Sequence, residues 1–327
     1  MTAQVVDGYP ARPVPGEIPA WVFPAADTGR LGNGMGTLRC DLPARRLAAV
    51  RLVLDAGALR EPQGRDGVAT LTARALTEGT KSKTAAEFAA ALERLGASLF
   101  ASADLTAVRV ALDVPVTHLP GALDLLAEAL RSPALTDDDV RRIGRERLDE
   151  IAQEDADPAS RAAREMRAVM FGEGSRAARP TGGDPASVSA LTGTEIREFF
   201  TALSPREATV VSAGDLNGSG IDDLVTAALG DWAAPARGLP PADLGDQIGK
   251  AQIVIVDRPG AVQTQLRFGH HVPGRHHEDW AALTVMANVL GGGLSSRLNS
   301  VLREEKGYTY GMHAGLARLP GSALFVA

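Results

Sequence analysis

A single cysteine, Cys40, stands in 327 residues. No intramolecular disulfide can form, which suits a reducing cytosol, and a metal site built from cysteines alone is excluded as well. No apolar run approaches the roughly 20 residues that a membrane-spanning helix needs. The opening stretch MTAQVVDGYPARPVPGEIP lacks a basic segment followed by an apolar one. It therefore does not read as a secretory signal, and the expected location is cytoplasmic. Basic residues do not cluster either. With 34 Lys and Arg against 40 Asp and Glu, net charge −6, the chain lacks the footprint of a nucleic-acid binder. Hydrophobic content of 45% and charged content of 23% allow a packed core, and the length suits two domains.

Hydrophobic periodicity divides the chain into two stretches. In the first, strands are expected at 36–41, 47–56, 97–103, 105–113 and 207–213. Helices are expected at 67–78, 84–95, 119–131, 137–155, 158–171, 193–203 and 219–230. Residues 1–30 read as a proline-bearing arm, 31–231 as a first domain, and the Pro, Gly and Ala-rich 232–249 as a linker. The pattern then restarts over 250–327, with strands at 251–257, 262–270, 309–317 and 321–327 and helices at 278–290 and 295–305. Strand, helix, glycine, helix, glycine, strand recurs in both stretches, which points to duplication. The second copy is shorter, so the expectation is a partial domain that either belongs to a truncated chain or is completed by a partner.

Three segments carry candidate chemistry. GVATLTARALTEGT, residues 67–80, begins at a glycine and ends in Gly-Thr, with Thr70 and Arg74 four apart on one helix face and Ala73 between them. Taken alone it is equally an amphipathic core helix. DDDVRRIGRERLDEIAQEDADPAS, residues 137–160, brings Glu150 just before an apolar residue and ahead of an Asp-Pro. Its alternating Arg and Glu residues also fit a solvated charge face. GGGLSSRLNSVLREEKGYTYGMHAGL, residues 291–316, joins a glycine run to Arg303 and Tyr310, with Tyr308 two residues before the latter.

These segments resemble the inverted-zincin metallopeptidases, the pitrilysin and insulinase family M16, over about residues 30–327. The family's helix reads His-x-x-Glu-His, with two imidazoles that reach one zinc and a general base. Here Thr70 and Arg74 stand at the ligand positions and Ala73 at the base position, while Glu150 falls where the third ligand is expected. A guanidinium about 4 Å from a divalent ion, at an effective dielectric near 20, is repelled by roughly 8 kcal/mol. The resemblance thus implies no metal and no cofactor in this chain, with zinc expected in a partner subunit that carries His-x-x-Glu-His. It implies an α+β protein of the LuxS/MPP-like metallohydrolase fold, with two homologous sheet-plus-helices domains. It further implies that Arg303 and Tyr310 stabilise the oxyanion of a peptide substrate, and that Gly291, Gly292 and Gly293 form a loop at the substrate chamber. A purely structural or binding member of the fold is the other reading.

Two further features are set aside. The Gly291–Gly293 run follows a helix, whereas a phosphate-cradling loop follows a strand, and Gly32-x-Gly34-x-Gly36 opens no helix. His270, His271, His276 and His277 cluster beside Glu278 and Asp279, but acidic residues at a helix start are ordinary capping.

Overall fold

Along Leu47–Leu54 every second residue is apolar, and Ala48, Val50, Leu52 and Leu54 are all buried. Such alternation suits a strand with one face on a core. The computed structural model describes residues 16, 17, 20, 22–172, 174–233, 235 and 238–327. Strands β1 (Asp27–Arg30), β2 (Gly36–Asp41), β3 (Leu47–Leu54), β4 (Ser98–Ala103), β5 (Val108–Pro115) and β6 (Ala208–Gly214) form one sheet, ordered β1-β2-β6-β3-β5-β4. Strand β6 runs parallel to β2 and antiparallel to β3; the other pairs are antiparallel. Val50 lies opposite both Leu112 and Ser212, so the buried positions of β3, β5 and β6 share a face.

Helices α1 (Val68–Ala75), α2 (Ala85–Arg94), α3 (Leu119–Arg131), α4 (Asp137–Ala156), α5 (Pro158–Met170), α6 (Pro185–Ala190), α7 (Gly193–Thr201) and α8 (Ile221–Leu229) accompany the sheet, and all but α6 lie where helices were expected. Thr84, Thr136, Asp157, Asp184 and Thr192 each accept an N–H in the first turn of the helix they precede, which fixes where α2, α4, α5, α6 and α7 begin. Helix α1 lies over the sheet against α4 and α7, and its Val68, Ala69, Leu71, Ala73 and Ala75 join the main core.

A second, smaller unit carries β7 (Gly269–Pro273), β8 (Gly315–Leu319), β9 (Ser322–Val326) and α9 (Trp280–Gly291). Its sheet order β7-β9-β8 repeats β3-β5-β4, strand for strand along the chain. Ala323 and Phe325 of β9 pack with Ala287 of α9, while Leu324 and Val326 face Leu59, Met170 and Phe171 of the first unit. The junction is pinned by His271, whose Nε2–H donates to the carbonyl of Met170 at 2.7 Å. The His271 ring also meets Phe171 edge-on at 5.4 Å.

Several expectations need correction. The segment 251–257 is not a strand: Ile253 and Ile255 are 92% and 87% exposed, and no ladder reaches it among the described residues. Its run of β-branched residues is strand-like, but a strand also needs a neighbour for its amides and carbonyls. The strand expected over 262–270 begins only at Gly269, and the helix over 295–305 is π-wound from Asn299 to Glu305. The strand expected over 309–317 starts at Gly315, so Tyr308 and Tyr310 lie in an irregular segment. Strand β1 and helix α6 were not expected. Of the arm read over 1–30, residues 1–15, 18, 19 and 21 lie outside the described residues, as do 234, 236 and 237 of the linker. The remainder of the linker runs beside the first unit, with Ile248 N–H donating to Met170 O at 2.9 Å and Arg60 Nε–H to Pro240 O at 2.5 Å.

Candidate functional site

Helix α1 opens where Gly67 takes φ = 93°, a left-handed conformation. A Cβ there would also lie 2.9 Å from the carbonyl oxygen of Gly182. The amides at the helix start are met by Glu61, whose Oε1 accepts from Gly67 and Ala69 at 3.0 and 2.9 Å. Glu61 Oε2 accepts from Arg176 at 2.7 Å. Arg176 also lies 3.5 Å from Asp66, which pairs in turn with Arg179. Burial pushes the Glu61 carboxyl above its ordinary value, against the opposing pull of Arg176 and the two amides.

One turn further, Thr70 is half-buried and Ala73 fully buried. Arg74 reaches across to α4 and grips Glu150 as a fork, Nη1 to Oε1 at 2.9 Å and Nη2 to Oε2 at 2.6 Å. Glu150 Oε2 accepts a third bond from Arg147 at 3.0 Å. The hydrogen bonds from Arg74, with those from Arg147 next, hold the Glu150 carboxyl below its ordinary value despite partial burial. Arg147 occupies the buried stripe of α4 defined by Val140, Ile143 and Ile151. There it also donates to Glu154 at 2.6 and 3.0 Å and to the Gly182 carbonyl at 3.1 Å.

This donor set does not fit a zinc ion. A hydroxyl, a methyl and a guanidinium stand at positions 70, 73 and 74, and both oxygens of Glu150 already accept from arginine. Among the described residues no group of three or more His, Cys, Asp and Glu side chains is arranged to hold a metal.

The second segment of interest lies in the smaller unit. Gly291 closes α9, and its carbonyl accepts from Ala314 N–H at 3.0 Å. A Cβ at Gly291 would sit 2.5 Å from that same nitrogen, so the close approach requires glycine. Asn299, which is buried, ties the region together. Its Nδ2 donates to Gly293 O at 3.0 Å and to Met312 O at 2.8 Å, and its Oδ1 accepts from Met312 N–H at 2.8 Å. These bonds take the backbone groups that a strand over 309–314 would have offered a neighbour. Tyr310 is consequently 92% exposed, and Arg303 is half-exposed with Glu304 at 3.4 Å. No hydrogen bond or ion pair joins Arg303 or Tyr310 to Arg74 or Glu150 among the described residues.

The structure thus brings Arg74 and Glu150 together, with no direct bond from either to Arg303 or Tyr310 among the described residues. Sequence reasoning missed Arg147, Glu61, Arg176 and Asn299. For Arg147 the signal was present, since 140, 143, 147 and 151 follow a helical stripe in which it replaces an apolar residue. The histidines do not gather as a metal site: His271 binds a carbonyl, and His277 Nδ1 accepts from Asp279 N–H at 3.2 Å. No described helix is long and apolar enough to cross a membrane.

Residues 40–182 match the family described as Insulinase (Peptidase family M16), and residues 190–327 match the Peptidase M16 inactive domain. The chain is 30% identical over 289 residues to an uncharacterized zinc protease of Mycobacterium tuberculosis, covering 88% of this chain and 66% of that relative. A crystal structure of a peptidase M16 inactive domain from Pseudomonas fluorescens superposes with a TM-score of 0.82 at 26% identity, over 92% of this chain and 73% of that one. A protease from Helicobacter pylori shares the fold at a TM-score of 0.84 and 21% identity, over 93% and 74% of the two chains.

Proposed function

The chain belongs to peptidase family M16, and from that premise we propose that it is the zinc-less subunit of a two-chain metallopeptidase. One observation carries the reading: the helix position that would bind metal holds Arg74, locked by a fork of hydrogen bonds onto Glu150. The metal-bearing chain is a homologous M16 subunit with an intact His-x-x-Glu-His. This chain closes a chamber around a peptide or unfolded segment and brings Arg303 and Tyr310 toward the scissile carbonyl. A fixed cation and a phenolic O–H aimed at developing negative charge each lower the barrier to hydrolysis. The exposure of Tyr310 supports this role, since its hydroxyl is available to a second chain. Gly291, Gly292 and Gly293 border the same surface and serve as the chamber loop.

The test is reconstitution with a homologous His-x-x-Glu-His chain and a quenched fluorescent peptide. The chain alone is expected to be inert and the pair active. Arg303→Ala and Tyr310→Phe in the pair are each expected to lower kcat roughly 100-fold with little change in KM. Turnover unchanged by both substitutions would leave the chain as a structural or binding member of the fold.

A further inference from the structure

Two arginines and two glutamates form an unbroken chain across α1 and α4. Arg74 binds both oxygens of Glu150, Glu150 is shared with Arg147, and Arg147 binds both oxygens of Glu154. Formal charges cancel, and each carboxylate oxygen has a donor. The least solvated member is Arg147, seated in the apolar stripe of α4, where its charge requires counter-charges close by. Glu150 therefore serves two guanidinium groups at once, and an external cation could claim it only by displacing Arg74.

We propose that Arg74 is a resident cation that does the structural work of a metal at this point, tying α1 to α4 through Glu150 so that the helix pair is complete without an exchangeable ion. This assignment concerns the chain by itself and stands whether or not a catalytic partner exists. A guanidinium cannot be removed by a chelator and does not lose its charge in the working pH range of proteins. The geometry also says what was exchanged. Positions 70 and 74 lie on one face of α1, one turn apart, and Arg74 shows that a side chain at 74 reaches Glu150.

The full-length chain supplies the test. Arg74→Met keeps length and apolar contact but not charge, and is expected to lower the melting temperature by roughly 3 °C or more. Arg74→Lys is expected to recover at least half of that loss, and Glu150→Gln added to Arg74→Met to cost little further. The double variant T70H/R74H offers two imidazoles facing Glu150, and after dialysis is expected to retain about one zinc per chain more than the wild-type protein. Adding E150Q is expected to remove that extra zinc. Arg74→Met melting with the wild type would reduce the residue to ordinary packing. A folded T70H/R74H chain with no excess zinc would show that position 74 does not stand where a metal can, and would overturn the proposal without bearing on Arg303 or Tyr310.

Discussion

Replacing Glu61 by alanine removes the acceptor for two amides at the start of α1 and the closest counter-charge of a buried arginine. Loss of a helix-start acceptor costs about 1 kcal/mol. Stranding one member of a buried ion pair costs about 3–5 kcal/mol. Arg176 would retain Asp66 at 3.5 Å and the carbonyls of Arg179 and Thr181, so the lower end applies and the two costs together come to about 4 kcal/mol. Glu61→Gln separates hydrogen bonding from charge, since its amide oxygen still accepts from Gly67 and Ala69. It too removes the counter-charge of Arg176, so this substitution is expected to lose about 3 kcal/mol, the helix-start acceptor being kept. The sign with pH follows from burial of the carboxyl. A carboxyl whose folded value is raised lends stability at low pH that fades as pH climbs from 4.5 through that raised value, and Glu61→Gln abolishes the fade. Urea unfolding followed by circular dichroism, with slopes compared to confirm the same transition, measures all three. Alanine costing no more than glutamine would refute the view that Glu61 anchors α1.

Three other outcomes are expected. Burial pushes the Glu128 carboxyl up, but hydrogen bonds from Lys83, Ser82 and Thr80 outweigh it and bring it down to about 2. Its stabilisation is therefore present above pH 4.5 and lost as pH falls toward about 2, so Glu128→Gln should flatten the acid limb of stability measured by urea midpoints. Gly291→Ala drives a methyl into the Ala314 amide, and exchange of that amide should quicken by roughly tenfold or more while the first unit melts as before. Trypsin should cut first at Lys250 or Arg267, within the exposed stretch that forms no strand; earlier cleavage between 47 and 229, read by mass spectrometry, would contradict the exposure described here.

The first unit was legible in the sequence because its signals are local. Buried positions alternate cleanly in β3, β5 and β6, and Thr84, Thr136 and Thr192 mark helix starts by their own side chains. The second unit was less legible because its outcome depends on neighbours. Residues 251–257 carry a strand's β-branched residues without a strand to bond, and Met312, beside Tyr310, gives both its backbone groups to the side chain of Asn299, which no periodicity reveals. At the candidate site, the residue types at positions 70, 73 and 74 could be read directly. That Arg147 would be buried and share Glu150 could not, because a charged residue in an apolar stripe makes sense only once its partners are placed.

The Arg74–Glu150 fork also has a historical meaning. Position 74 holds a cation on whose charge Glu150 and, through it, Arg147 depend, so a metal could enter only after that cation had left. Any single return step at position 74 leaves the remaining charges unbalanced, and recovery of a metal centre requires positions 70, 73 and 74 to change together. The arginine acts as a ratchet. Chains descended from this one are expected to drift at position 70, to keep a small residue at the buried position 73, and to change 74 and 150 only as a pair.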